Sequence, residues 1–474
     1  MFVGREAELK TLEDLYGRDS WQMIVLYGRR RVGKTTLLTK FIEDKPAIFF
    51  PAQEMGDKMN LEVFSRKIFE FFKVPNSFLG FSSWNDAFAF LAERAEHERF
   101  ILVIDEFPYA AGGSRGLASI LQNVIDHRLK DTNAFWILCG SQIGFMENAV
   151  LGHKSPLFGR RTAQMRLDGF DYVDASRMLA GYGNEDMVRF YACIGGTPHY
   201  LNQVDPALTF QQNIANLFFR PSGYLYDEPT MLLRQELREP AVYNAAILVI
   251  AQGASRLNEI ATKIGEAPSK VIKYLEPLMR MRILHREFPF GENSERSRKG
   301  IYRISDNVYR FWYRFVLPNR SAIEQGAGLP LFGEIQGELN AYIGRIFEEV
   351  CLQYMIRRNN ALALPFLFTH SGRWWGGNPR TKRQEEIDLV CSSHDGKSVL
   401  FAECKWREES CDASVLNELI EKSGILDTSG RFEDIYYCLF SKAGFTRTCK
   451  AQGERMGNVF LIGLDELFSS ESHA

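Results

Sequence analysis

The segment Gly28-Arg29-Arg30-Arg31-Val32-Gly33-Lys34-Thr35 meets every fixed position of the template G-x-x-x-x-G-K-[ST]. It stands between an apolar run, residues 23–27, and an amphipathic stretch that opens at Thr36. Strand, glycine loop and helix in that order leave a chain few choices. The strand belongs in a buried parallel sheet, the loop turns its backbone N–H groups inward around an anion, and the helix adds the positive end of its dipole. Gly28, Arg29, Arg30, Arg31, Val32, Gly33, Lys34, Thr35 and Thr36 are therefore candidate ATP-binding residues. Lys34 would reach the β- and γ-phosphates, and Thr35 would hold Mg2+.

A second motif suits the first. Residues 100–104, Phe-Ile-Leu-Val-Ile, are too short for a typical helix and rich in β-branched side chains, and they end in Asp105-Glu106. At the tip of a parallel strand beside the loop, Asp105 would enter the magnesium shell and Glu106 would polarise the attacking water. A further strand, residues 134–139, ends in Gly140-Ser141-Gln142, where Ser141 or Gln142 would sense the γ-phosphate.

At 474 residues the chain is too long for one core. Lys+Arg 57 against Asp+Glu 59 leaves a net charge of −2, so DNA binding must come from local patches and not from bulk charge. No run reaches membrane-span length, the N-terminus lacks a signal-peptide pattern, and the eight cysteines include no C-x-x-C pair. The expectation is a reduced, cytoplasmic protein that engages no membrane and carries no structural zinc.

The fold class expected is α/β. Residues 1–170 alternate strands and helices as a P-loop core, and 171–239 read as a helical lid on it. Residues 240–304 read as a winged helix-turn-helix: helices at 242–251, 257–264 and 268–281, then strands at 283–288 and 301–304. Ser269, Lys270 and Lys273 on the third helix, with Arg296, Arg298 and Lys299 on the wing, are candidate DNA phosphate contacts. Residues 305–336 form a connector in which Phe311-Trp312-Tyr313-Arg314-Phe315 is a buried docking helix and 326–333 a linker. Residues 337–474 form a last α/β domain.

That last domain has chemistry of its own. Residues 385–391 and 398–406 read as strands joined through Asp395-Gly396, a hairpin turn signal. A tight turn sets paired residues to sum to 791 (394 + 397), so Asp388 falls opposite Glu403, and Lys405 shares their face. Facing carboxylates repel unless a cation lies between them. Asp388 and Glu403 are therefore candidate ligands of a catalytic Mg2+, Lys405 a candidate activator of its bound water, and Glu348 (or Glu349) a third acid on a helix.

Taken with Phe2-Val3-Gly4-Arg5-Glu6-Ala7-Glu8-Leu9, Phe158-Gly159-Arg160 and Gly196-Thr197-Pro198, the ordered motifs resemble archaeal-type ATPases, relatives of the AAA+ and STAND ATPases. Gly372-Arg373-Trp374-Trp375, Glu386-Ile387-Asp388 and Glu403-Cys404-Lys405-Trp406 resemble the C-terminal domain often fused to them, which is similar to PD-(D/E)xK nucleases of the restriction-endonuclease fold. The resemblance implies that the N-terminal box and the Pro198 turn embrace adenine and that Arg160 acts as an arginine finger on a neighbouring subunit of a homo-oligomer. It also implies that ATP turnover gates DNA engagement and cleavage. The rival expectation is a non-cutting ATP-dependent switch whose C-terminal fold is an inactive docking module.

Overall fold

Every residue of Gln22–Tyr27 (β1) is buried, as expected of a strand covered on both faces. Met23, Val25 and Tyr27 point into one apolar cluster, while Ile24 and Leu26 point into another. In the computed structural model, which describes residues 2–74, 80–114, 116–237, 239–379, 381–427 and 430–469, β1 lies inside a five-stranded sheet. Its other members are Ala47–Pro51 (β2), Ile101–Asp105 (β3), Phe135–Gly140 (β4) and Ala163–Arg166 (β5). The order is β2-β3-β4-β1-β5, and all pairings are parallel. Of these strands, β5, Ala-Gln-Met-Arg, is half polar, whereas three, β1, β3 and β4, are legible as apolar runs. The edge strand β2 is not, because half of it is solvated and it ends in a proline.

The chain divides into two compact units, Met1–Phe170 with Thr197–His199, and Asp171–Gly196 with Tyr200–Ala474. The helices expected as a lid belong, outside 197–199, to the second unit and are tied to it by hydrogen bonds. Asn307 Nδ2 donates to Tyr191 O at 2.8 Å, Tyr342 Oη donates to Ala192 O at 2.8 Å, and Arg357 pairs with Asp171 at 2.6 Å. The spine of this unit is the helix Gln336–Asn360, which buries Leu339, Ile343, Ile346, Phe347, Val350 and Cys351 along one stripe.

Three helices, Pro240–Ala251, Leu257–Ile264 and Pro268–Arg280, precede the antiparallel hairpin Leu284–Glu287 (β6) and Ile301–Ile304 (β7). Phe311, Trp312, Tyr313 and Phe315 are buried, as expected of a docking helix. The expected linker at 326–333 is corrected: Gly328–Glu334 is a helix. Phe332 stacks at 5.1 Å on Phe219, and a Cβ on Gly328 would fall 1.9 Å from the Phe219 carbonyl oxygen. The glycine therefore serves close packing and not slack.

The C-terminal sheet runs β12-β11-β10-β9-β8, with His370–Gly377 (β8), Gln384–Ser392 (β9), Ser398–Lys405 (β10), Asp434–Ser441 (β11) and Val459–Gly463 (β12). The pairs Val399↔Ser392 through Ala402↔Leu389 keep the expected register. The turn is longer than two residues, however. Ser393 N–H donates to Ser398 O, Gly396 N–H closes on Ser393 O, and Gly396 takes φ 71°, which glycine adopts at no steric cost. Lengthening the loop symmetrically leaves the register sum unchanged.

The packing at Gly328 makes a prediction. Gly328→Ala must push the Phe219 backbone away, so it should lower unfolding free energy by about 1–3 kcal/mol. Urea denaturation of the purified protein checks this, and an unchanged midpoint would contradict the packing described.

Candidate functional site

The loop between β1 and the helix Lys34–Ile42 carries two left-handed residues, Arg31 at φ 73° and Gly33 at φ 91°. No side chain caps this helix, so its first N–H groups are turned toward the loop's interior unpaired by a cap. Lys34 is 6% exposed, and its ammonium donates to Gly28 O and Arg29 O, each at 2.9 Å. It makes no ion pair among the described residues. A buried ammonium held only by carbonyls, beside uncapped helix N–H groups, is a cradle for an anion. Gly28 is fixed by space: a Cβ there would lie 2.1 Å from Leu167 O.

The β3 tip meets this loop. Thr35 Oγ1 donates to Asp105 Oδ2 at 2.8 Å, and Glu106 N–H donates to Asp105 Oδ1 at 3.0 Å. Two adjacent oxygens of this kind suit a hard divalent cation. Glu106 takes φ 50° as it leaves the strand, and its Oε2 accepts from Ser141 N–H at 3.1 Å and Ser141 Oγ at 2.8 Å. Of the two polar residues after β4, Ser141 is thus the one that touches Glu106. Pro198 lies in the same unit as the loop, with its Cγ 3.9 Å from where a Gly33 Cβ would be. Arg30 donates to Tyr109 Oη at 2.7 Å. Arg5 is buried and spans the site's back wall, donating to Val32 O at 3.1 Å and to Asp168 O, with its guanidinium over Phe170.

Arg160 departs from the expected finger. Its Nε and Nη2 grip both oxygens of Asp126, at 3.0 and 2.6 Å, and its Nη1 donates to Pro156 O and Phe158 O. That pairing holds the Asp126 pKa below its ordinary value. The side chain closes its own turn, so its donors are committed within the chain.

In the second unit, Asp388 lies midway along β9 and Glu403 near the end of β10, one residue beyond the last ladder pair, Ala402↔Leu389, and two lysines stand against Glu403. Glu403 is 3% exposed and is neutralised by two ammonium groups, Lys405 at 2.5 Å and Lys422 at 2.8 Å. Despite burial, these lysines hold its pKa below the ordinary value. Asp388 Oδ2 accepts from Cys404 N–H at 2.8 Å. Burial, then the Glu403 charge, push Asp388 up to about 6. Burial, then the Asp388 charge, push Glu348 up to about 8. Glu349 pairs instead with Arg310 at 2.6 Å, which settles which glutamate faces the cluster. Among the described residues, no three His, Cys, Asp or Glu side chains are grouped as a ready metal site.

Residues 2–204 match the family described as an ATPase domain predominantly from Archaea. Residues 312–416 match a second, described as archaea bacterial proteins of unknown function. An uncharacterized protein of Methanocaldococcus jannaschii is 32% identical over 470 residues, covering 98% of this chain and all of that one. The chain belongs to this archaeal-type P-loop ATPase family. An uncharacterized ATP-binding protein of the same archaeon is 53% identical over 45 residues, 10% of this chain and 76% of that one. A Walker-type ATPase of Pyrococcus abyssi shares the fold with a TM-score of 0.50 at 22% identity, over 66% of this chain and 96% of that one. No helix among the described residues is long and apolar enough to cross a membrane.

Two features of this ATPase escape the sequence. Lys422 lies on the helix Ala413–Leu426, and only the helix's return across the sheet brings it to Glu403. The basic residues expected to contact DNA are partly spoken for: Lys270 pairs with Glu266 at 2.6 Å, and Lys299 with Glu292 at 2.6 Å.

The raised Glu348 pKa has a pH signature. Between its ordinary pKa and about 8, the unfolded chain has released this proton and the folded chain keeps it, so stability falls as pH rises through that window. Glu348→Gln removes the proton exchange. Its unfolding free energy should overtake wild type progressively from about pH 4.5 to pH 8 and then run parallel. Chemical denaturation at a series of pH values tests this, and a variant offset that is the same at every pH would refute it.

Proposed function

We propose that this ATPase binds ATP with Mg2+ at the loop 28–35, hydrolyses it with Glu106, and couples that cycle to binding and metal-dependent cleavage of DNA by its C-terminal domain. The buried, unpaired ammonium of Lys34 carries the first half, because only an anion in the loop compensates it. Thr35 and Asp105 would hold the metal, which would neutralise charge developing on the transferred phosphoryl group. Glu106 is held by Ser141, and release from that serine would let its carboxylate orient and deprotonate water.

The second half rests on Asp388, Glu403, Glu348 and Lys405. Two of these acids carry raised pKa values, and a divalent cation would favour their ionised forms. The carboxylate donor set fits a hard cation, with Glu348 and Asp388 holding it and Glu403 joining once a lysine lets go. Lys405 would then be free to hold a proton from the attacking water. DNA contact through a winged-helix reading of 240–304 relies on Lys273, Arg296 and Arg298. One observation favours the rival switch: Lys405 and Lys422 already neutralise Glu403, so the cluster is stable without metal.

Lys34→Ala should abolish ATP binding, while Glu106→Gln should bind normally and lose about 10²–10⁴-fold in turnover. Calorimetry with ATP and a phosphate-release assay read the two separately. Normal ATP affinity in Lys34→Ala would sink the anion-cradle reading.

For the C-terminal domain, Asp388→Asn and Glu403→Gln should each lose Mg2+- or Mn2+-dependent cutting, with Lys405→Ala retaining metal and losing cutting. If wild type cuts neither single-stranded nor duplex DNA with either metal, with or without ATP, the switch reading replaces the nuclease.

A further inference from the structure

A cavity of about 670 Å³ lies between the β6–β7 hairpin, the helix Gln336–Asn360 and the β8–β9 ladder, and Glu348 and Asp388 line it. That volume is in the range of small-ligand sites, about 300–1,000 Å³. Its charges are unevenly matched. Arg303 lies 2.7 Å from Glu287, and Arg310 2.6 Å from Glu349. Two further guanidinium groups line the same space without a close carboxylate. Arg345 is exposed and has no ion pair among the described residues. Arg286 lies over Phe288 and Tyr302, at 4.8 and 5.6 Å, on the hairpin face opposite Arg303 and Glu287. Arg373 meets Glu348 and Glu386 only at 3.8 and 3.6 Å, and its buried Nε has no hydrogen-bond partner.

We infer that this cavity is a phosphodiester-binding pocket in which Arg345 and Arg373 hold the backbone of a nucleic acid beside Asp388. Guanidinium forks match phosphate oxygens two at a time, which isolated carboxylates at 3.6–3.8 Å do not satisfy. The Trp375 ring under Arg373 places an aromatic face next to that cation, as base stacking requires. The pocket wall is fixed because the hairpin is anchored to the sheet. Phe290 N–H donates to Arg373 O at 2.8 Å, and Phe290 packs on the C-terminal core. The hairpin thus serves as one wall of the pocket. This inference rests on the nucleic-acid reading of the C-terminal domain, and it assigns the gripping residues to a face that the helix bearing Lys270 and Lys273 does not supply.

Fluorescence anisotropy with a labelled single-stranded oligodeoxynucleotide, in EDTA, tests it in the full-length protein. Arg345 is exposed, so Arg345→Glu should fold; it should weaken binding by about tenfold and flatten the salt dependence by about 0.7 in slope. Arg373→Gln should do the same. An unlabelled linear dinucleotide as competitor separates the two sources of a phosphodiester. Competition as strong per phosphate as that of the long strand identifies a soluble dinucleotide, and weaker competition identifies a strand. Wild-type affinity in both Arg345→Glu and Arg373→Gln, or no binding of either probe by the wild type, overturns the pocket. A metal-supplemented cleavage assay is read separately. Arginine-dependent binding without cutting removes the nuclease reading and leaves the pocket, whereas cutting that ignores the arginines removes the pocket and leaves the nuclease.

Discussion

The 2.8 Å hydrogen bond from Thr35 to Asp105 is the contact around which the nucleotide unit is organised. It joins the start of one helix to the end of a strand 70 residues later in the chain, and it exists only because β4 lies between β1 and β3. That interposition sets the β3 tip next to the loop and carries Ser141, at the end of β4, onto Glu106. Parallel strands covered on both faces admit this arrangement because each crossover returns the chain to the same edge of the sheet. Arg5 completes it from behind, bonding the loop carbonyl of Val32 and the carbonyl of Asp168 at once.

The C-terminal unit solves a different electrostatic problem. Placing Asp388, Glu403 and Glu348 close together in a sheet-and-helix core costs desolvation energy, and the protein offsets it unequally. Glu403 receives two ammonium groups and stays ionised. Asp388 and Glu348 are pushed toward their protonated forms. The cluster therefore holds carboxyl groups of differing acidity within one cavity wall. Such separation marks sites that move protons or exchange a proton for a cation.

Much of this was readable in advance. The phosphate loop and Asp105-Glu106 depend on local spacing, and the β9–β10 register follows from the turn at Asp395-Gly396: the pairs Val399↔Ser392 through Ala402↔Leu389 keep it, with Asp388 and Glu403 the next residues along. Arg160 shows the limit of reading by order alone. Its position in the chain suggests a finger, and its partner Asp126, 34 residues earlier, can be found only in three dimensions.

The linker failed for a related reason. Gly326, Gly328 and Gly333 look like slack in a sequence, yet Gly328 is small because the Phe219 carbonyl stands where a side chain would go. Sequence alone determined the nucleotide loop, the buried strands and the acid pair, since each follows from residue type and short-range period. Tertiary structure alone decided that Lys422 neutralises Glu403, that Glu348 and not Glu349 faces Asp388, and that Arg345 and Arg373 share one cavity. Those relations join residues far apart in the chain, and their energies depend on distance and desolvation, quantities that exist only once the elements have packed.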